Sequence, residues 1–181
     1  MYSTVQRLNH LSSLATTYLL ALLALVSLAS FLALPPVDVG TVHVKDLILT
    51  KGRLNRWGAR PEELASLRFD IRTDLNPLLN SYNTKQLFVY LTATYEEESS
   101  SEVHDVVLWD RIITRKKGRG NVRVEDGKNK YQWHNPSHTF KDIPTANFTL
   151  HYSLMPYVGV LSSGVAAVAE GPVAIPELIK R

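Results

Sequence analysis

Two hydrophobic rhythms divide this chain. From Leu14 to Leu34 the apolar residues run on with no charge, no glycine and no proline. Beyond Pro35-Pro36 the period becomes two: Leu67, Phe69, Ile71, Thr73 and Leu75 alternate with Arg68, Asp70, Arg72 and Asp74. That alternation is what a strand with one face in a core requires. Leu87 to Tyr95, Val103 to Thr114 and Phe148 to Leu154 follow it, and Val42, Val44 and Ile48 give a less regular first strand. Val165 to Ile175 adds a last strand or pair. Turn clusters punctuate them at Lys51-Gly52, Asn76-Pro77, Glu96 to Ser101, Lys117 to Gly120, Asp126-Gly127 and Asn135-Pro136. Pro61 to Ser66 predicts a short connecting helix, with proline at a first-turn position and two acids behind it. The expected fold is mainly β, an antiparallel β-sandwich-like domain behind a single N-terminal transmembrane helix.

The run Leu14 to Leu34, as a helix, rises about 31 Å, against a bilayer hydrocarbon core of ~30 Å. A cleaved secretory signal competes, since Ser27-Leu28-Ala29 resembles a small-residue cleavage site. Secretory cores are usually about 7–15 residues, and here Phe31 to Leu34 continues the apolar run past that cut, which favours an uncleaved anchor. Flanking charge leaves the orientation nearly tied: Arg7 and His10 on one side, Lys45 and Lys51 beside Asp38 and Asp46 on the other. A short tail at 1–13, a span at 14–34 and a large domain at 37–181 fit a single-pass protein whose domain is translocated, because long domains cross largely regardless of charge.

Composition narrows the chemistry. The 181 residues hold 20 Lys+Arg, 17 Asp+Glu and no cysteine, so disulfides, thiolate metal sites and a cysteine nucleophile are excluded. Net charge +3 is too small for a nucleic-acid footprint, and the run Arg115 to Arg119 reads as a solvated hairpin turn. No phosphate loop or nucleophile elbow is present. The sharpest enzyme hypothesis is a metal-dependent hydrolase using His134 and His138 with His104 and Asp105 as further ligands, but Asn135-Pro136 puts the pair in a loop, where i, i+4 spacing does not converge imidazoles. A membrane-anchored binding module would use Trp57, Tyr131 and Trp133. Asn147-Phe148-Thr149 is the one N-glycosylation sequon; if Phe148 and Leu150 face a core, Asn147 faces solvent.

Four segments in order after an anchor carry a family resemblance: Phe69-Asp70-Ile71 with Asp74-Leu75, Thr84 to Leu91 (TKQLFVYL), Val106 to Asp110 (VVLWD) with Ile112, and Asn147 to Thr149 followed by Pro156 and Gly159. Together they resemble the signal peptidase complex subunit 3 family, over essentially the full length; Tyr152 departs from it, standing where a Trp is usual. The resemblance implies a type II single-pass protein of the endoplasmic reticulum membrane with a cytosolic tail and a luminal domain, on which the sequon at Asn147 would carry a glycan. It also implies a non-catalytic accessory subunit, without cofactors, that stabilises a separate serine-type catalytic subunit removing signal peptides. From Pro156 to Pro176 only Glu170 is charged. That stretch is either buried in the domain's own sheets or offers a contact to the catalytic subunit at Pro156, Tyr157, Val158 and Gly159.

Overall fold

The structure, a computed structural model, describes residues 3–53, 61–98, 102–115 and 120–178. The apolar run lies in one long helix, α1 (Thr4–Leu32, 29 residues). The helix begins at Thr4 rather than Leu14 because Ser3 builds a capping box. Its hydroxyl accepts the Gln6 N–H at 3.3 Å while the Gln6 side chain accepts the Ser3 N–H at 3.1 Å, satisfying donors that the first turn leaves free. Thr16 and Thr17 donate their hydroxyls to Ser12 O and Ser13 O, both at 2.9 Å, which hides polar groups inside an apolar run. No residue of α1 is buried, and leucines such as Leu19, Leu20, Leu22 and Leu25 stand exposed. The helix is long and apolar enough to cross a membrane.

The rest is mainly β, as the alternation predicts. Among the described residues nine strands form one sheet: β1 (Gly40–Gly52), β2 (Glu62–Asp74), β3 (Thr84–Glu97), β4 (Glu102–Thr114), β5 (Asn121–Lys128), β6 (Trp133–His134), β7 (Thr145–Pro156), β8 (Ser162–Ala169) and β9 (Val173–Ala174). The order is β4-β3-β7-β8-β1-β2-β5, with β6 beside β2 and β9 beside β7. Every pairing is antiparallel except β1 with β8, joined in parallel over Gly40–Val42 and Ala167–Ala169. Curling at this seam brings the β4-β3-β7 arm over the β1-β2-β5 arm. Phe69 of β2 meets Trp109 of β4 edge to face at 6.0 Å between ring centroids, and Lys130, after β5, donates its N–H to Leu108 O at 2.8 Å. The enclosed core includes Leu67, Phe69, Ile71, Leu87, Leu91, Leu108, Phe148 and Leu150. The domain is thus sandwich-like with its two layers continuous in hydrogen bonding.

Three local expectations are corrected. Pro61 to Ser66 is not a helix: Glu62 onward belongs to β2, where Glu63, Ala65, Leu67, Phe69, Ile71 and Thr73 turn inward in unbroken alternation. A six-residue helix has too few hydrogen bonds to outlast strand pairing with β1 on one side and β6 on the other. Asn76-Pro77 opens a single helical turn, α2 (Asn76–Asn80), with the proline where a missing N–H costs nothing. Asp126-Gly127 is a bulge inside β5 rather than a turn: the register with β2 slips between Phe69 and Ile71, and Asp126 takes φ 53°. A side chain at Gly127 would collide with Val124 at 2.7 Å and Phe69 at 2.9 Å, so this bulge requires glycine.

Candidate functional site

The most distinctive constellation lies where α1 meets the sheet. Asn83, in the turn between α2 and β3, is 5% exposed. Its Nδ2 donates to Ser30 Oγ at 2.8 Å and to Val158 O at 2.6 Å, its Oδ1 accepts the Val158 N–H at 3.2 Å, and its carbonyl accepts the Tyr157 N–H at 2.9 Å. One side chain therefore ties the last turns of α1 to the β7–β8 loop. The next residue, Gly159, has φ 117°, and a Cβ there would stand 2.6 Å from Ser27 Oγ. Ser27, Ser30, Phe31 and Leu34 of the helix side line a narrow crevice with Pro156, Val158 and Val160 of the loop. Of the four residues singled out for partner contact, Pro156, Val158 and Gly159 thus lie against the chain's own helix, while Tyr157 points outward at 57% exposure.

The three histidines do not converge. His104 on β4 stacks obliquely on Tyr95 at 5.4 Å, His138 Nδ1 lies 3.0 Å from Glu62 Oε1, and the buried Nδ1 of His134 has no hydrogen-bond partner among the described residues. Asp105 accepts the Thr94 hydroxyl at 2.5 Å. Among the described residues no three His, Asp or Glu side chains come together as a metal would need. Of the three aromatics proposed for ligand binding, Trp57 lies outside the described residues. Trp133 is fully buried and contacts Tyr95, Phe140 and Phe148. Tyr131 is half-exposed, with its hydroxyl on Asp110 Oδ1 at 3.1 Å.

Asn147 behaves as its position in β7 predicts. It is exposed, while Ala146, Phe148 and Leu150 on either side are buried. It pairs with Thr94 of β3, and on its other flank β9 ends at Ala146 while β8 pairs only from Thr149 onward. A shallow cleft of about 520 Å³, lined by Asn147, Thr94, Glu96, Glu98 and Pro144 among others, opens in front of it.

Sequence reasoning missed a buried polar hub. Asn135 is fully buried. It accepts the Tyr95 hydroxyl at 3.1 Å and donates to Ser137 Oγ at 2.5 Å and Thr139 O at 3.1 Å. Beside it, the Glu63 carboxylate accepts the Phe140 N–H at 2.7 Å and the Thr139 hydroxyl at 3.1 Å. The visible signal was an Asn-Pro step followed by Ser and Thr, side chains that satisfy backbone groups in a turn. Burial holds the Tyr95 hydroxyl above its ordinary pKa. Two surface carboxylates are held below theirs. Asp70 accepts from Lys45 Nζ at 2.8 Å and from the Asp126 N–H at 2.7 Å, and Asp110 accepts from Lys130 Nζ and the Tyr131 hydroxyl, both at 3.1 Å. These contacts rigidify the sandwich and supply no aligned nucleophile and base.

Residues 1–177 match the protein-family model described as signal peptidase subunit. The chain belongs to the signal peptidase subunit family. Curated relatives agree. The signal peptidase complex subunit 3 of Yarrowia lipolytica is 29% identical over 99% of this chain and 100% of that protein. That of Saccharomyces cerevisiae is 32% identical over 91% of each, and that of Drosophila melanogaster 32% identical over 81% of this chain and 82% of that one. Among solved structures, the sporulation control protein Spo0M from Bacillus subtilis aligns over 74% of this chain at 11% identity and a TM-score of 0.26, too low to bear on the fold. The segments that carry the resemblance to the signal peptidase subunit family are structural: Phe69 of the first packs on Trp109 of the third, and Leu87, Val89 and Leu91 are the buried alternate positions of β3 where it runs between β4 and β7.

Proposed function

We propose that the protein is a non-catalytic accessory subunit of a signal peptide-processing complex in the endoplasmic reticulum membrane. In this reading α1 anchors it as a type II single-pass protein, residues 1–13 face the cytosol and residues 37–181 form a luminal domain. Its task is to stabilise and position a separate serine-type catalytic subunit, and it uses no cofactor of its own. Family membership over residues 1–177 is the observation that carries the proposal. The helix–sheet brace supports it physically: a domain whose orientation to its anchor is fixed by Asn83 and Gly159 can hold a partner's active site at a constant height above the bilayer. The loop Pro156 to Gly159 then serves the partner by setting the domain's attitude.

A detergent-solubilised pull-down of the tagged full chain, with identification of stoichiometric partners, tests this. Recovery of a serine-type signal peptidase in equal amount is the expected result. Recovery of the chain alone, or with unrelated partners, overturns it. A second arm replaces His104, His134 and His138 by Ala together. Cleavage by the assembled complex should stay nearly intact, whereas losing a catalytic group costs about 10²-fold or more.

A further inference from the structure

The brace also fixes how deep the domain sits. Gly159 touches α1 at Ser27, whereas the apolar run continues to Leu34. Seven residues of helix are about 10 Å, and even a boundary at Leu32 leaves about 7 Å. The β7–β8 loop therefore reaches below the level at which the anchor leaves hydrocarbon. Its side chains suit that position. Although Val160 borders the crevice beside α1, it is 74% and Leu161 63% exposed among the described residues, apolar surface that is costly to leave in water. From Ser153 to Ala169 no residue is charged. Around the loop stand Tyr157 and Tyr82, both more than half exposed, and Arg115, whose guanidinium donates to Ser81 O at 3.0 Å and Tyr82 O at 2.9 Å. Tyrosines and a basic side chain flanking an apolar tip are the groups that lie at the headgroup layer of a bilayer.

We infer that the β7–β8 loop is a second membrane contact, with Val160 and Leu161 in the acyl boundary and Tyr82, Tyr157 and Arg115 among the lipid headgroups. The inference rests on α1 spanning the bilayer. Together the helix and the loop give the domain two attachment points, so that it cannot swivel about its anchor. The surface serves lipid of ordinary composition and needs no headgroup specificity.

The absence of cysteine in the chain allows a direct test. The full chain is reconstituted in phosphatidylcholine vesicles as single-cysteine variants Val160→Cys, Leu161→Cys, Tyr131→Cys and Leu22→Cys, each carrying an environment-sensitive fluorophore. Expected are blue-shifted emission and quenching by spin-labelled lipid at 160 and 161, as at 22, with iodide quenching only at 131. Iodide quenching at 160 and 161 equal to that at 131, with 22 still quenched by lipid, overturns the loop contact alone. Blue-shifted emission at 160 and 161 without lipid quenching does so too, since it reports a protein neighbour. Loss of lipid quenching at 22 overturns the anchor reading and the loop with it. Unchanged far-UV circular dichroism confirms that each variant is folded, as exposed sites permit.

Discussion

Gly159 closes on Ser27 so tightly that a single added carbon would stand 2.6 Å from the serine hydroxyl oxygen. The same glycine takes φ 117°, a backbone conformation that costs a residue with a side chain about 1–3 kcal/mol. Gly159→Val should therefore both strain the loop and lever α1 off the sheet. The expected outcome is a fall of several degrees in the thermal midpoint of the detergent-solubilised full chain, with faster protease cleavage between α1 and β1. A midpoint unchanged from the parent would show that the helix does not brace the domain.

Asn83 offers an independent handle on the same junction. Asn83→Ala deletes bonds to Ser30 and to both backbone groups of Val158, and leaving these part-buried groups unpaired costs up to about 3 kcal/mol. Ser30→Ala removes only the link to the helix, from a partly exposed hydroxyl, and should cost under about 1 kcal/mol. Equal losses from the two, measured by denaturant midpoint, would place the importance of Asn83 at the helix rather than at the loop.

How much of this was legible beforehand follows from which interactions are local. Binary alternation reports burial directly, so β2, β3, β4 and β7 are readable wherever one face is core. Inference failed where a long-range partner overrode a local signal. Pro61 to Ser66 has helical composition but is claimed by β1 and β6. Asp126-Gly127 has turn composition but Asp70, distant in sequence, accepts the Asp126 N–H and holds it as a bulge. β5 was missed altogether because its exposed edge leaves only Val122 fully buried. The loop Pro156 to Gly159 stood out in the sequence only by its lack of charge, and its contact with α1 was not visible there, since neither a positive φ at Gly159 nor the reach of Asn83 leaves a mark in composition.

The Lys45–Asp70 pair makes a pH prediction with a definite sign. Lys45, then the Asp126 N–H, hold the Asp70 carboxyl below its ordinary 3.8 in the folded chain. A depressed folded value means a contribution present above the unfolded value and lost as pH falls through the folded one. The thermal midpoint of the parent should drop below about pH 4, and Asp70→Asn should start lower and drop less across that window, with Asp110 supplying a share that remains. Lys45 is raised by the same bond, so its contribution is full below its ordinary value of 10.5 and lost only above it. An acid limb identical in parent and variant would remove Asp70 from the account.

Asn147 carries the topological prediction. The side chain is exposed between buried Ala146 and Phe148, and the cleft before it is open to solvent, so a glycan attached there would extend away from the core. If residues 37–181 are luminal, the full chain expressed in a eukaryotic secretory system should show an endoglycosidase-sensitive mass shift that Asn147→Gln abolishes. Because the side chain sits on the surface and the strand itself is held by backbone pairing with β3, which the substitution leaves in place, Asn147→Gln should change stability by no more than about 0.5 kcal/mol. Measuring the midpoint of the enzymatically deglycosylated parent beside that of Asn147→Gln separates the side chain from the sugar: the two should coincide. A chain that stays unmodified, and whose domain is digested by protease added to the cytosolic face of intact microsomes, would reverse the orientation of α1 and place the helix–sheet brace on the cytosolic side.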